Sequence, residues 1–101
     1  MSKKMKETNE MELTLESVKP YFAAASSQEI IIRTFFQAKA EYETGKEQSS
    51  AEEGLRRRDN YLKNTARKHG LDIQGLIALQ NEYMRQAKQW LLSKSEKSGQ
   101  K

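Results

Sequence analysis

The sequence predicts an all-α protein: a small three- to four-helix bundle with a C-terminal antiparallel helical hairpin and flexible tails. Three observations lead there. Apolar residues recur at three- and four-residue intervals from Ser26 to Leu92, the spacing that gathers them on one face of a helix. Residues that start and stop helices fall between these stretches, most clearly at Ser49 to Glu53 and at Gly70 to Asp72. Only one short stretch, Met11 to Glu16, alternates apolar and polar residues as a strand does, and no second strand follows to pair with it.

Residues 1–10 carry Lys, Glu, Thr and Asn without periodicity, so residues 1–12 are expected to form a flexible or extended arm. Met11, Leu13 and Leu15 would pack it on the helices, with strand addition to a partner as the alternative. A single helical domain should occupy residues 13–92. Residues 93–101, rich in Lys, Ser and Gly, should be a disordered basic tail. Pro20 lacks a backbone donor and suits a helix start, so a short first helix is expected to begin near it.

Ser26 and Glu29 form a capping-box pattern, after which Ile31, Phe35, Ala38 and Tyr42 share one face until Gly45, where a polar loop to Ser49 is expected. Ile30, Ile32 and Phe36 lie off that stripe and add more apolar surface than one neighbour covers. Ser49 with Glu52, or Ser50 with Glu53, caps a third helix. Its Leu55, Leu62, Ala66 and His69 lie opposite Arg56, Arg57, Asn60, Lys63, Asn64, Arg67 and Lys68.

Gly70 should end that helix in a left-handed cap, with Leu71 making the accompanying apolar contact. Asp72 then caps a last helix from Ile73 to about Leu92. Its apolar pairs Leu76–Ile77, Tyr83–Met84 and Trp90–Leu91 repeat every seven residues and, with Ile73, Leu79 and Ala87, can meet two neighbouring helices. Gln80 lies inside this stripe, either fixing register or oligomeric state or reaching solvent. Arg58, between Leu55 and Leu62, is expected to snorkel or to meet a buried acid.

The chain has 101 residues, no cysteine and a net charge of +4, which permits one modest core and no disulfide or thiolate metal site. No apolar run approaches a membrane span, and the charged N-terminus lacks a signal-peptide pattern, so a cytoplasmic protein is expected. The charge is unevenly distributed. Residues 1–53 hold 7 Lys and Arg against 10 acids, whereas residues 54–101 hold 11 against 4, an asymmetry that suits a surface meeting nucleic acid or an acidic protein.

No catalytic, cofactor or metal site is expected. His69 stands alone before the Gly70 turn, where a helix C-terminus accounts for it, and with Asp72 it makes two ligands without a third. Gly70 and Gly75 match a phosphate loop in spacing, but Leu76 and Ile77 occupy the places of its Lys and Ser or Thr. The carboxylates fall in caps, helix faces and tails, with no pair evident in an apolar pocket.

Two surfaces could bind. Apolar surplus nominates Ile32, Phe36, Tyr83 and Trp90 as protein-binding anchors, with core packing as the structural alternative. The basic helix nominates Arg56, Arg57, Lys63, Arg67 and Lys68, with Gln74, as nucleic-acid contacts. Within residues 62–80, Ala66, Gly70, Leu71, Leu76 and Leu79 have the spacing of the repressor-type helix-turn-helix, which this segment resembles. That resemblance implies that Gln74 and Ala78 face base edges and Asn81 a phosphate. The segment departs from it at Thr65 and His69, usually apolar positions, and at Ile73 and Ile77, which would project outward. An ordinary helical hairpin with a glycine turn explains the same spacing.

The expectation is therefore a non-enzymatic helical adaptor or inhibitor. It would bind a larger intracellular protein, in the manner of short accessory proteins encoded by bacteria, phages or mobile elements, and could self-associate. The alternative is a basic nucleic-acid-binding regulator.

Overall fold

The computed structural model describes residues 13–99, with side chains for residues 13–94. The fold is all-α: α1 is Leu15–Ala24, α2 Glu29–Gln48, α3 Ala51–Lys68 and α4 Ile73–Gly99, with a 3₁₀ turn, Ser26–Gln28, between the first two. Among the described residues there is no strand.

Helix α1 starts earlier than expected, and the alternation at Leu13 and Leu15 conceals its first turn. Thr14 and Ser17 cap it reciprocally: the Ser17 N–H donates to the Thr14 hydroxyl at 3.1 Å and the Thr14 N–H to the Ser17 hydroxyl at 2.8 Å. Leu15, Val18 and Phe22 then follow helical spacing, while residues 1–12 lie outside the described part. Pro20 sits within the helix. Both Pro20 and Glu16, whose carbonyl the missing donor would have served, belong to the exposed side, where water compensates.

The Ser26 capping box does not form. Ser26–Gln28 is spent in the 3₁₀ turn, and the Glu29 carboxylate reaches forward to Arg33 at 2.6 Å instead of back. Helix α2 also passes through Gly45, which serves helix contact and not termination. A Cβ on Gly45 would lie 2.7 Å from Gly54 Cα, and one on Gly54 would lie 2.5 Å from the Tyr42 carbonyl oxygen. Two glycines facing each other let α2 and α3 approach backbone to backbone, and this pair makes the most extensive helix contact of the fold. Ser49 and Ser50 alone join them, with the Ser50 hydroxyl capping the Glu53 N–H.

The Gly70 turn matches expectation. Gly70 has φ 72°, its N–H bonds the Arg67 carbonyl at 3.1 Å, and the Leu71 N–H bonds the Ala66 carbonyl at 2.8 Å. The Asp72 carboxylate accepts from the Gly75 N–H at 2.7 Å and opens α4. Helix α4 continues past Leu92 to Gly99, because no glycine or proline interrupts residues 93–98.

Two apolar clusters share α2 and α4. Val18, Tyr21, Phe22, Ile32, Met84 and Ala87 join α1 to α2 and the later part of α4. Ile31, Ala38, Leu62, Ala66 and Leu76 join α2 to the α3–α4 hairpin, and Tyr83 packs against both clusters. Gln80 is buried and donates from Nε2 to the Thr34 hydroxyl at 2.8 Å, which in turn donates to the Ile31 carbonyl at 2.6 Å. This bond fixes the register of α4 on α2, and Gln80 does not reach solvent. A second polar chain runs from Tyr21 through Gln28 to Gln86, with steps of 2.9 Å, and ties α1 to α4.

Candidate functional site

Of the four apolar anchors expected from sequence, Ile32 is taken up by the fold: its side chain is 0% exposed in the first cluster, beyond reach of a partner. Trp90 is half-buried and set edge-on to Tyr21, with ring centroids 5.6 Å apart and the Lys94 ammonium 4.9 Å from its own centroid. Tyr83 is half-buried between the clusters. Phe36 is half-buried beside Phe35 and lines a shallow cavity with Leu15, Gln37, Ala40 and Tyr61. All four belong to the first cluster, Ile32 within it and Phe36, Tyr83 and Trp90 packed against it. Ile30, 61% exposed, stands apart as a single exposed side chain.

The structure offers a different apolar surface. On the α2 stripe Ile31 and Ala38 are buried, whereas Phe35 and Tyr42 are left half-buried. A concavity of about 360 Å³ opens there, floored by Phe35, Ala38, Tyr42, Leu62 and Ile77. It continues into a second of about 410 Å³ floored by Leu13, Phe35 and Met84; Phe35, Lys39 and Asn81 line both. Together they make a groove along α2 and α4. Its polar lining is Lys39, Arg58, Gln80, Asn81, Arg85 and Lys88, without a carboxylate.

Arg58 does snorkel, but it meets the exposed Asp59 at 3.3 Å and not a buried acid, while its Nε is buried without a hydrogen-bond partner. Arg85 pairs with Glu82 one turn back. Glu82 is held below the usual carboxylate range, first by the hydrogen bond from Gln86 and then by that from Arg85.

The basic helix divides into two parts. Arg56 donates to both Glu53 oxygens, at 3.0 and 2.6 Å, which lowers the Glu53 carboxyl and raises the guanidinium. Arg57 bonds Glu41 of α2 at 3.0 Å. These two are therefore occupied by the protein's own acids. Lys63, Arg67 and Gln74 instead line one concavity of about 500 Å³ with Ala66, Leu71, Asp72 and Ile73, and Lys68 is exposed nearby in sequence. Among the described residues no carboxylate pairs with Lys63, Arg67 or Lys68.

The helix-turn-helix spacing is realised in part. Ala66 and Leu76 are buried, Gly70 is left-handed, and Leu71 and Leu79 pack on the second cluster. Gln74, Ala78 and Asn81 are exposed, as is His69, so the turn does not cover the imidazole. Leu55, expected beside Leu62 on the apolar side of α3, is exposed.

Among the described residues no three His, Asp or Glu side chains gather as a metal site would need, and no helix is long and apolar enough to cross a membrane. Compared with known proteins, the chain matches no family model, no curated sequence and no solved structure.

Proposed function

We propose that the protein is a non-enzymatic docking module, a small helical adaptor or inhibitor whose α2–α4 groove receives a segment of a larger protein. The observation that carries this reading is the groove: Ile77 is exposed and Phe35 and Tyr42 are half-buried along it, Leu62 and Met84 close its floor from the core, and polar side chains edge it. Apolar centre and polar rim are the anatomy of helix-in-groove recognition. Affinity capture from an extract of the native cell, with and without nuclease, tests it. A stoichiometric, nuclease-resistant protein should be recovered by the wild type and lost with Ile77→Asp, an exposed position whose change spares the core. Recovery that nuclease abolishes would overturn the reading.

A second reading is favoured by one observation, the convergence of Lys63, Arg67 and Gln74 on a common concavity beside the Gly70 turn. There the protein would bind nucleic acid, with Lys63, Arg67 and Lys68 following phosphates and Gln74 facing bases. Each cation that releases a counterion steepens the salt dependence. A mobility shift that weakens sharply between low and physiological salt, and weakens further in Lys63→Ala/Arg67→Ala, supports this reading. No shift of any nucleic acid at low salt ends it.

A further inference from the structure

We infer that the occupant of the α2–α4 groove is an acidic amphipathic helix of a partner protein. This rests on the docking reading above and specifies what docks.

Charge complementarity carries the inference. Lys39 of α2 and Lys88 of α4 line one of the two concavities, and Lys39 and Arg58 of α3 line the other. Among the described residues Lys39 and Lys88 have no carboxylate partner. Arg58 makes one ion pair, at 3.3 Å with the exposed Asp59. An arriving carboxylate supplies the partner that Lys39 and Lys88 lack, and Asn81 adds a neutral hydrogen-bonding group to the same lining. Phosphate would satisfy the cations equally, and the aliphatic Ile77 and Met84 beside them favour apolar side chains over stacked bases, a distinction that competition with DNA tests.

The floor specifies the shape. Ile77 and Met84 are seven residues apart on α4, about 10 Å along its axis, with Phe35 opposite the interval. A helix of about three turns with apolar anchors at i, i+4 and i+7 matches that span, and its flanking positions meet the cationic rim. A second copy of this chain is a poorer match through α3 or α4, which carry more cations than acids and would set cations against cations.

The test uses the full chain and a fluorescein-labelled helical peptide of about fourteen residues, with Leu at i, i+4 and i+7 and Glu at the flanks. A twin peptide has Lys in place of every Glu. By fluorescence anisotropy the Glu peptide should bind at least about tenfold more tightly than its twin. Lys39→Glu/Lys88→Glu should weaken the Glu peptide about tenfold and reverse the preference, whereas Ile77→Ser should weaken both peptides. Circular dichroism confirms that each variant is folded.

Equal binding of the two peptides, or binding indifferent to the charge reversal, overturns the inference. So does displacement of the Glu peptide by duplex or single-stranded DNA at physiological salt, or dimerisation that Ile77→Ser abolishes. If neither peptide binds while a nuclease-resistant protein is still captured, the acidic-helix inference fails and the docking reading stands. If capture itself fails, the docking reading falls too.

Discussion

Replacing Gly54 by alanine probes the contact that sets α2 against α3. In an ordinary helix interior this exchange is favourable by about 1 kcal/mol, because alanine loses less backbone entropy. Here the new methyl would lie 2.5 Å from the Tyr42 carbonyl oxygen, 3.0 Å from Tyr42 Cδ1 and 3.2 Å from the Lys46 nitrogen. Two of those neighbours are backbone atoms and cannot rotate away, so the helices must separate. Overpacking of this kind costs about 1–3 kcal/mol, with a backbone obstacle at the upper end. The net expectation is a loss of about 1–2 kcal/mol, equivalent to a Tm lower by roughly 5–15 °C in a domain of this size. Thermal and urea unfolding followed by circular dichroism measure it. Gly75→Ala is the control, since its methyl would meet only side chains, Asp72 Oδ1 at 3.1 Å and Leu71 carbons at 3.6 and 3.7 Å. A Gly54→Ala protein as stable as the wild type would refute the close-approach argument.

Thr34→Val leaves the buried Gln80 amide without its acceptor and should cost about 1–3 kcal/mol in urea unfolding, whereas Thr34→Val/Gln80→Leu should cost less than that single change. Equal or greater loss in the double variant would argue against the bond. Ser50→Ala removes the cap of α3 and should lower stability by about 1 kcal/mol; an unchanged urea midpoint would contradict the cap. Glu53 and Glu82 have folded pKa values below the usual 4.5, so the unfolded chain takes up their protons first as pH falls. The stability they contribute is present above that value and is lost as pH drops through the lower, folded values. Glu53→Gln/Glu82→Gln should therefore lose less stability than the wild type between pH 7 and pH 3, and an identical loss would exclude these two carboxyls as a source of acid sensitivity.

The Gly70 turn is the part of the fold most fully legible in the sequence. At Gly70, a cap before Leu71 and Asp72 needs only local geometry, so residue type nearly determines it. Spacing places Leu62, Ala66 and Leu76 on buried faces, but it places Leu55 and His69 there too, and those are exposed. The misreadings share a different cause. Gly45 looks like a stop until Gly54 is seen opposite it, and that pairing is tertiary. Glu29 fits a capping box until Arg33 claims its carboxylate. Thr14 does cap α1, but with Ser17 where the familiar pattern has Glu or Gln. For the candidate site, Phe35, Ala38 and Tyr42 were legible as one stripe. What the sequence could not reveal is that Ala38 and Ile32 are closed off in the core while Phe35 and Tyr42 stay half-buried along the groove. Likewise, five cations in α3 read as one basic face, until Glu53 and Glu41 withdraw Arg56 and Arg57 from it.

The groove's role is tested most directly by mapping backbone amide shifts of the full chain titrated with the Glu-flanked peptide. Docking between α2 and α4 predicts perturbations concentrated at Phe35, Lys39, Ile77, Asn81 and Met84. Shifts confined to Lys63, Arg67 and Gln74, or none at any residue, would contradict it.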